Sequence, residues 1–221
     1  MTVAEGACLR ADDALTEPAV LVQNLSRRFG DRLVVRSLDL VLEPGERIAL
    51  WGPNGSGKTT ILRCLAGTLE PSGGIATVCG YPAGSIEARR LVGVSLSQER
   101  SFYLRLAGRD NLLFFARARG YSARAALEAV RAIGEELELG RILDERSDRC
   151  SSGMLQQLAL ARALLGEPEV LLLDEPTRSL DAEAVERLWA ALDRRPATAV
   201  ILATHHPGDV ENCSGRIDLP R

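Results

Sequence analysis

The stretch Gly52-Pro53-Asn54-Gly55-Ser56-Gly57-Lys58-Thr59-Thr60 follows a short apolar run, Ile48-Ala49-Leu50-Trp51. It opens into Ile61-Leu62-Arg63-Cys64-Leu65-Ala66. A strand, a glycine loop and a helix in that order are the context that a phosphate-binding loop requires. Gly52, Gly55 and Gly57 let the backbone bend so that successive N–H groups point inward. The helix that follows offers its unpaired N-terminal N–H groups and the positive end of its dipole to an anion. Lys58 adds a full charge; at an effective dielectric near 20, opposite unit charges about 4 Å apart attract by about 4 kcal/mol. Thr59 places a hydroxyl where a nucleotide-bound Mg²⁺ can use it. A glycine-rich turn before a helix would share this composition. Lys58, however, is the only lysine of the chain, and a generic basic surface position here would be arginine.

The chain of 221 residues is long enough for one large domain or for a core with a subdomain, and a 46% hydrophobic fraction supports a proper core. A net charge of −3 and only 4% aromatic residues argue against nucleic-acid binding by bulk charge or base stacking. No apolar run approaches the roughly 18 residues of a membrane span. Glu5, Asp12 and Asp13 do not fit the basic start of a signal peptide, so a cytosolic protein is expected. Cys8, Cys64, Cys79, Cys150 and Cys213 lack metal-site spacing and read as reduced, mostly buried thiols.

Along the chain, residues 1–18 read as a flexible lead and 19–221 as one domain. Strands are expected at Ala19–Leu25, Leu33–Leu42, Ile75–Cys79, Leu91–Leu96, Val170–Leu173, Thr198–Ala203 and Arg216–Leu219. Turns fall at Phe29-Gly30-Asp31-Arg32, Glu43-Pro44-Gly45-Glu46 and Pro71-Ser72-Gly73-Gly74. The texture turns helical after Gln98, with few β-branched residues, so an inserted helical subdomain is expected at about 99–152. Ser122 can cap a helix that runs to Leu139. Further helices are expected from about Gly153 and over Ala182–Asp193. The run Leu171-Leu172-Leu173-Asp174-Glu175 is an apolar strand ending in two carboxylates. Asp174 can hold Mg²⁺ directly or through water, and Glu175 can polarise a water for in-line attack on a γ-phosphate.

These motifs together resemble the nucleotide-binding subunit of an ATP-binding cassette (ABC) transporter over about residues 20–219. The resemblance rests on Gly52–Thr60, Gln98, the run Leu158-Ala159-Leu160-Ala161-Arg162-Ala163-Leu164-Leu165, Asp174-Glu175-Pro176-Thr177, Ser179-Leu180-Asp181 and Thr204-His205. It implies an α/β fold: a P-loop NTPase core of mixed sheet and flanking helices, an N-terminal antiparallel β-subdomain and the inserted helical subdomain. It further implies ATP and Mg²⁺ as cofactors, ATP hydrolysis, a second nucleotide-binding subunit and an integral membrane permease. The cassette would then lie on the inner face of the membrane through that permease. The stretch Ser101-Phe102-Tyr103 through Gly108-Arg109-Asp110-Asn111-Leu112 is similar to exporter-type subunits. The expected docking surface is the groove beside Gln98 and the segment Glu99–Asn111.

By the same resemblance, Phe29 stacks on adenine; taken alone, Phe29 reads as a core residue. Lys58 and the loop Gly52, Pro53, Asn54, Gly55, Ser56, Gly57, Thr59 and Thr60 hold the phosphates. Thr59 and Asp174 surround the metal, Glu175 is the catalytic base, and Gln98 binds the metal or the attacking water. His205 contacts the γ-phosphate, with His206 the alternative if the register differs. Asp181 communicates across the dimer; alone it equally caps the next helix. Ser151, Ser152, Gly153 and Met154 form the signature that acts on the partner's nucleotide. The family's loop reads Leu-Ser-Gly-Gly before Gln or Met, whereas this chain has Cys150-Ser151-Ser152-Gly153-Met154. Ser152 costs energy if that position needs positive φ and is mild if it does not. Ser179 replaces a common glycine, which is expected to be minor. Two other readings remain open from the residues: an ABC ATPase working on the ribosome or DNA, and a degenerate cassette that binds ATP without hydrolysing it.

Overall fold

The apolar runs that end at Trp51, Asp174 and Thr204 become neighbouring parallel strands. The computed structural model describes residues 17–96 and 102–220. Strands β1 (Val20–Phe29) and β2 (Arg32–Leu42) form a hairpin, and β3 (Arg47–Trp51) leads into helix α1 (Lys58–Leu65). Then follow β4 (Gly73–Val78), β5 (Tyr81–Pro82), α2 (Ile86–Leu91) and β6 (Val92–Ser95). Helices α3 (Gly108–Ala118) and α4 (Ala123–Glu136) and two short 3₁₀ turns precede α5 (Ser152–Leu164). The chain closes with β7 (Val170–Asp174), α6 (Ala182–Asp193), β8 (Ala199–Thr204), α7 (Pro207–Glu211) and β9 (Gly215–Asp218).

Two sheets result. One has the order β2-β1-β4-β5 and pairs antiparallel; the other has the order β6-β7-β8-β3-β9 and pairs parallel. Strand alternation explains why β7 and β8 are apolar up to their last residues, Asp174 and Thr204. Leu171, Leu173, Val200 and Leu202 face a core shared with α3 to α6, while Val170, Leu172, Ile201 and Ala203 face one shared with α1 and the antiparallel sheet. A parallel strand covered on both faces needs side chains of one kind on both. Ile61, Leu62 and Leu65 of α1 are at most 1% exposed. Each such burial contributes about 1.5–3 kcal/mol and fixes the helix whose first turn forms the phosphate loop's end.

Element ends follow local chemistry. The Ser85, Ser122, Ser151 and Asp181 side chains accept the backbone N–H three residues on and cap α2, α4, α5 and α6. α6 occupies the expected Ala182–Asp193, but α2, β5 and α7 were not expected. Their signals are short: Ser85 before Glu87, and Pro207 at the first turn. β1 runs four residues past the expected Leu25, through the bulges between Val22 and Arg28. Among the described cysteines only Cys64 is fully buried; Cys79, Cys150 and Cys213 are partly so, and all four are free thiols. Burial pushes the Cys64 and Cys150 thiols up and the Cys213 thiol to about 11.

Two arginines at the C-terminal end of α6 grip the end of α4. The Arg195 guanidinium donates to both Glu136 oxygens, at 2.6 and 2.8 Å, and Arg194 reaches Oε1 at 3.2 Å. These hydrogen bonds, Arg195's first, hold the Glu136 carboxyl below its ordinary value of 4.5. The stabilisation is therefore present above that value and is lost as pH falls through the depressed one. Glu136→Gln should lower unfolding free energy by about 1–3 kcal/mol at neutral pH. The difference from the parent chain should narrow as a denaturation series is carried below pH 4.5.

Candidate functional site

At the C-terminal ends of β3, β7 and β8 the backbone leaves the sheet and functional side chains collect. This is where open α/β sheets bind ligands. The β3–α1 loop bends at Gly55 and Gly57, whose φ values of 82° and 99° favour glycine. Gly52 is required for a different reason, since a Cβ there would lie 2.8 Å from both the Leu219 carbonyl and the Ser56 hydroxyl. Gly57 is the residue before α1 and lies against Val34 and Val35 of β2.

The Lys58 ammonium is buried and donates to the carbonyls of Gly52, at 2.6 Å, and Pro53, at 3.2 Å. It is thus held across the mouth of its own loop. The Ser56 hydroxyl is buried with no hydrogen-bond partner among the described residues, although such groups are costly to leave unmade. Thr59 Oγ1 donates to Asp174 Oδ2 at 2.8 Å, joining the loop to the end of β7 across 115 positions of sequence. Among the described residues no group of three or more His, Cys, Asp or Glu side chains could hold a metal alone. The Thr59 hydroxyl and the Asp174 carboxylate are hard oxygen donors side by side. One or two protein oxygens, completed by phosphates and water, is the way Mg²⁺ is bound, and these residues fit it.

Glu175 follows Asp174 but takes a separate partner. Its backbone has φ 50°, rare for a residue with a side chain, and its N–H donates to the Ala203 carbonyl at 2.8 Å. Such strain is held only where the surroundings determine it. The turn sends the half-buried carboxylate to His205 Nδ1, 2.7 Å from Oε1, while the His205 side chain stays 60% exposed. The register therefore brings His205, not His206, to Glu175.

Sequence reasoning missed what fixes these two loops. Asp209 Oδ2 accepts from Thr204 Oγ1 at 2.6 Å and from Thr177 Oγ1 at 3.0 Å, and Thr204 Oγ1 accepts from the His206 N–H at 2.9 Å. Asp209 is 1% exposed, so this network sets the His205 backbone from within. Gln156 was also missed. Its amide donates to the carbonyls of Pro176, at 3.1 Å, and Glu175, at 3.5 Å, tying α5 to the Glu175 turn. The visible signal was slight: two adjacent glutamines, Gln156 and Gln157, on a helix that is otherwise mostly apolar.

Phe29 is 46% exposed, which overturns the core reading of that residue taken alone. The Arg27 guanidinium covers one ring face at 4.5 Å from the centroid, and Arg27 Nη1 is anchored on the Glu70 carbonyl at 2.8 Å. Gln98 lies outside the described residues.

The signature residues sit on the other side of the Glu175 turn. Ser151 caps α5, with its hydroxyl accepting from the Met154 N–H at 3.2 Å. Ser152, in the first turn of α5, is not among the residues with positive φ, so a side chain there is conformationally mild. Gly153 is the constrained position, because a Cβ on it would overlap the Ser179 carbonyl oxygen. Ser179 itself has φ 65°, so the replacement expected to be minor falls on a strained turn. Asp181 caps α6 through Ala184 N–H at 2.8 Å. Ser151, Gly153, Met154, Ser179 and Asp181 line one open cavity of about 640 Å³.

Residues 35–178 match the family described as ABC transporter. The Nod factor export ATP-binding protein I of Burkholderia lata is 39% identical over 199 residues, 88% of this chain and 65% of that protein. Its namesake from Rhizobium sp. strain N33 is 36% identical over 207 residues, 92% of this chain and 68% of that protein. The chain thus spans less than two-thirds of the length of the Burkholderia relative. A solved ATP-binding subunit of an ABC transporter superposes with a TM-score of 0.81 at 28% identity, covering 91% of this chain and 85% of that one.

The two signature positions should separate by variant. Gly153→Ala should lower unfolding free energy by about 1–3 kcal/mol through overpacking against Ser179. Ser152→Gly should change it by less than about 1 kcal/mol. Chemical denaturation of the two variants beside the parent chain measures both.

Proposed function

The chain belongs to the ABC transporter family, and on that premise we propose that it is the ATP-hydrolysing subunit of a transporter. The observation that carries the reading is the meeting of two pairs at one sheet end: Thr59 with Asp174 at 2.8 Å, and Glu175 with His205 at 2.7 Å. The loop residues Gly52, Pro53, Asn54, Gly55, Ser56, Gly57, Lys58, Thr59 and Thr60 surround the phosphate chain of ATP. Phe29 offers its free ring face to the adenine. The Lys58 ammonium exchanges its carbonyl partners for phosphate oxygens, a stronger, charge-assisted bond. Thr59 and Asp174, with Gln98, would hold Mg²⁺, which would supply positive charge to the phosphates.

Glu175 then accepts a hydrogen bond from a water in line with the γ-phosphorus. As the water oxygen bonds to phosphorus its proton passes to Glu175, and the bond to the β–γ bridging oxygen breaks, leaving ADP and phosphate. His205, held by Glu175, orients the water and donates to a γ-oxygen. A retained acid–histidine pair favours a hydrolysing cassette over a degenerate one.

The second half of the site comes from another nucleotide-binding subunit. Ser151, Ser152, Gly153 and Met154 of one copy face the nucleotide of the other, with Asp181 beside them at the shared surface. Closing and reopening this sandwich drives an integral membrane permease. Among the described residues no helix is long and apolar enough to cross a membrane. We place the cassette on the cytoplasmic face through the permease. The names of the Burkholderia and Rhizobium relatives favour export as the direction.

The permease contact is assigned to the helical subdomain, inserted at about 99–152. Tyr103, Leu104, Leu106 and Phe114 are 39–50% exposed there, and Tyr103 packs edge-on to Phe114 with centroids 4.8 Å apart. Buried Asn111 fixes this surface, with its Oδ1 accepting the Tyr103 N–H at 2.8 Å and its amide donating to Ser147 Oγ at 3.1 Å. An exposed aromatic cluster held by a buried amide is suited to receive a partner helix.

Two experiments test the reading. Glu175→Gln should cut ATP turnover by about 10²-fold or more while ATP is still bound, and should accumulate an ATP-dependent dimer with its nucleotide-binding partner. Turnover at the parent rate would remove Glu175 from the chemistry. Phe114→Asp should weaken co-purification with the permease and leave ATP affinity of the isolated chain unchanged; equal recovery of permease would move the docking surface elsewhere.

A further inference from the structure

The β1–β2 hairpin brings a second cation to the phosphate loop. Phe29 and Arg32 are partners across the antiparallel pair, joined by Gly30 and Asp31, with Gly30 at φ 54°. Directly opposed residues project from the same face of a hairpin. Arg27, two residues before Phe29, shares that face and takes one side of its ring at 4.5 Å. Arg32 stands on the loop side: its Nη2 lies 4.0 Å from where a Cβ on Gly55 would sit. Its side chain is exposed and has no hydrogen-bond or ion-pair partner among the described residues. An aromatic ring, an unpartnered guanidinium and the mid-point of a phosphate loop thus follow one another over a short distance.

We propose that Arg32 is a further nucleotide-binding residue, donating to the phosphate chain at its ribose end. The inference rests on the reading that Gly52–Thr60 holds a nucleotide. With the base against Phe29 and the terminal phosphates at Lys58, the chain must pass between them, beside Gly55. The α-phosphate is then the anion within reach of Arg32. A guanidinium presents a planar fork of N–H donors matched to two phosphate oxygens, and it stays charged throughout the working pH range. Gly55 suits this approach, since any side chain there would occupy the space between the guanidinium and the loop.

Calorimetric titration of the full chain with MgADP tests the assignment without turnover. Arg32→Gln should raise Kd about 5- to 20-fold, and Arg32→Lys should recover part of the loss. The Arg32→Gln deficit should shrink as salt rises from about 0.05 to about 0.5 M, as an exposed charge contact must. Circular dichroism and melting of Arg32→Gln should match the parent, as the side chain is exposed and holds nothing. Parent-like affinity in Arg32→Gln, with Lys58→Ala weakened, overturns the role of Arg32 and leaves the nucleotide site standing. A deficit unchanged by salt overturns the phosphate contact. Parent and Lys58→Ala binding MgADP equally overturns the nucleotide site itself, and the Arg32 role with it.

Discussion

The hydrogen bond from Thr59 to Asp174 is the constraint on which the site depends. It closes the phosphate loop, at the end of β3, onto the acidic end of β7, two strands away in the same parallel sheet, and spans 2.8 Å between residues 115 positions apart. Neither residue could hold that distance by itself. Asp174 ends β7, which is buried on both faces, and Thr59 rides on α1, whose Ile61, Leu62 and Leu65 are locked in the core. The precision of the polar contact is borrowed from apolar packing, because well-packed interiors resist small displacements. The Glu175 turn extends the same logic. Its strained φ is tolerated because β8 accepts its N–H and Asp209 sets the following loop from inside.

Within one chain, helix α5 and the turn at Glu175 are already in contact. Gln156 bonds the carbonyls of Glu175 and Pro176, and Gly153 lies against the Ser179 carbonyl. The surface proposed to face a partner's nucleotide is therefore packed onto the loop that carries this chain's own Glu175 carboxylate. A shift on one side must be felt on the other through backbone contacts, which is a physical basis for linking two sites across a dimer. The altered signature fits this picture. Serine at 152 sits in ordinary helical backbone, and the position that tolerates no side chain, 153, has kept its glycine.

The sequence made the phosphate loop, the Asp174-Glu175 strand end and the bounds of α6 legible, because each is written in a few adjacent residues. What it hid was written across distance or in conformation. Phe29 looks like a core residue until Arg27 is seen covering its ring and leaving the other face exposed. Asp209 carries no motif, yet its carboxylate accepts from hydroxyls at the end of β8 and in the turn after Glu175. Ser179 reads as a mild replacement until its φ of 65° is known. The short elements β5, α2 and α7 have too few residues for a period to emerge.

Every role proposed for this chain requires the loop between β3 and α1 to be the seat of a nucleotide. Hydrogen exchange of the backbone amides, compared with and without MgADP, addresses that claim residue by residue. Protection is predicted at Gly55 to Thr60, where the loop N–H groups would meet phosphate, with weaker protection in the hairpin at Phe29 to Arg32. Exchange in this loop that is unchanged at saturating MgADP, or protection confined to other parts of the chain, would contradict it.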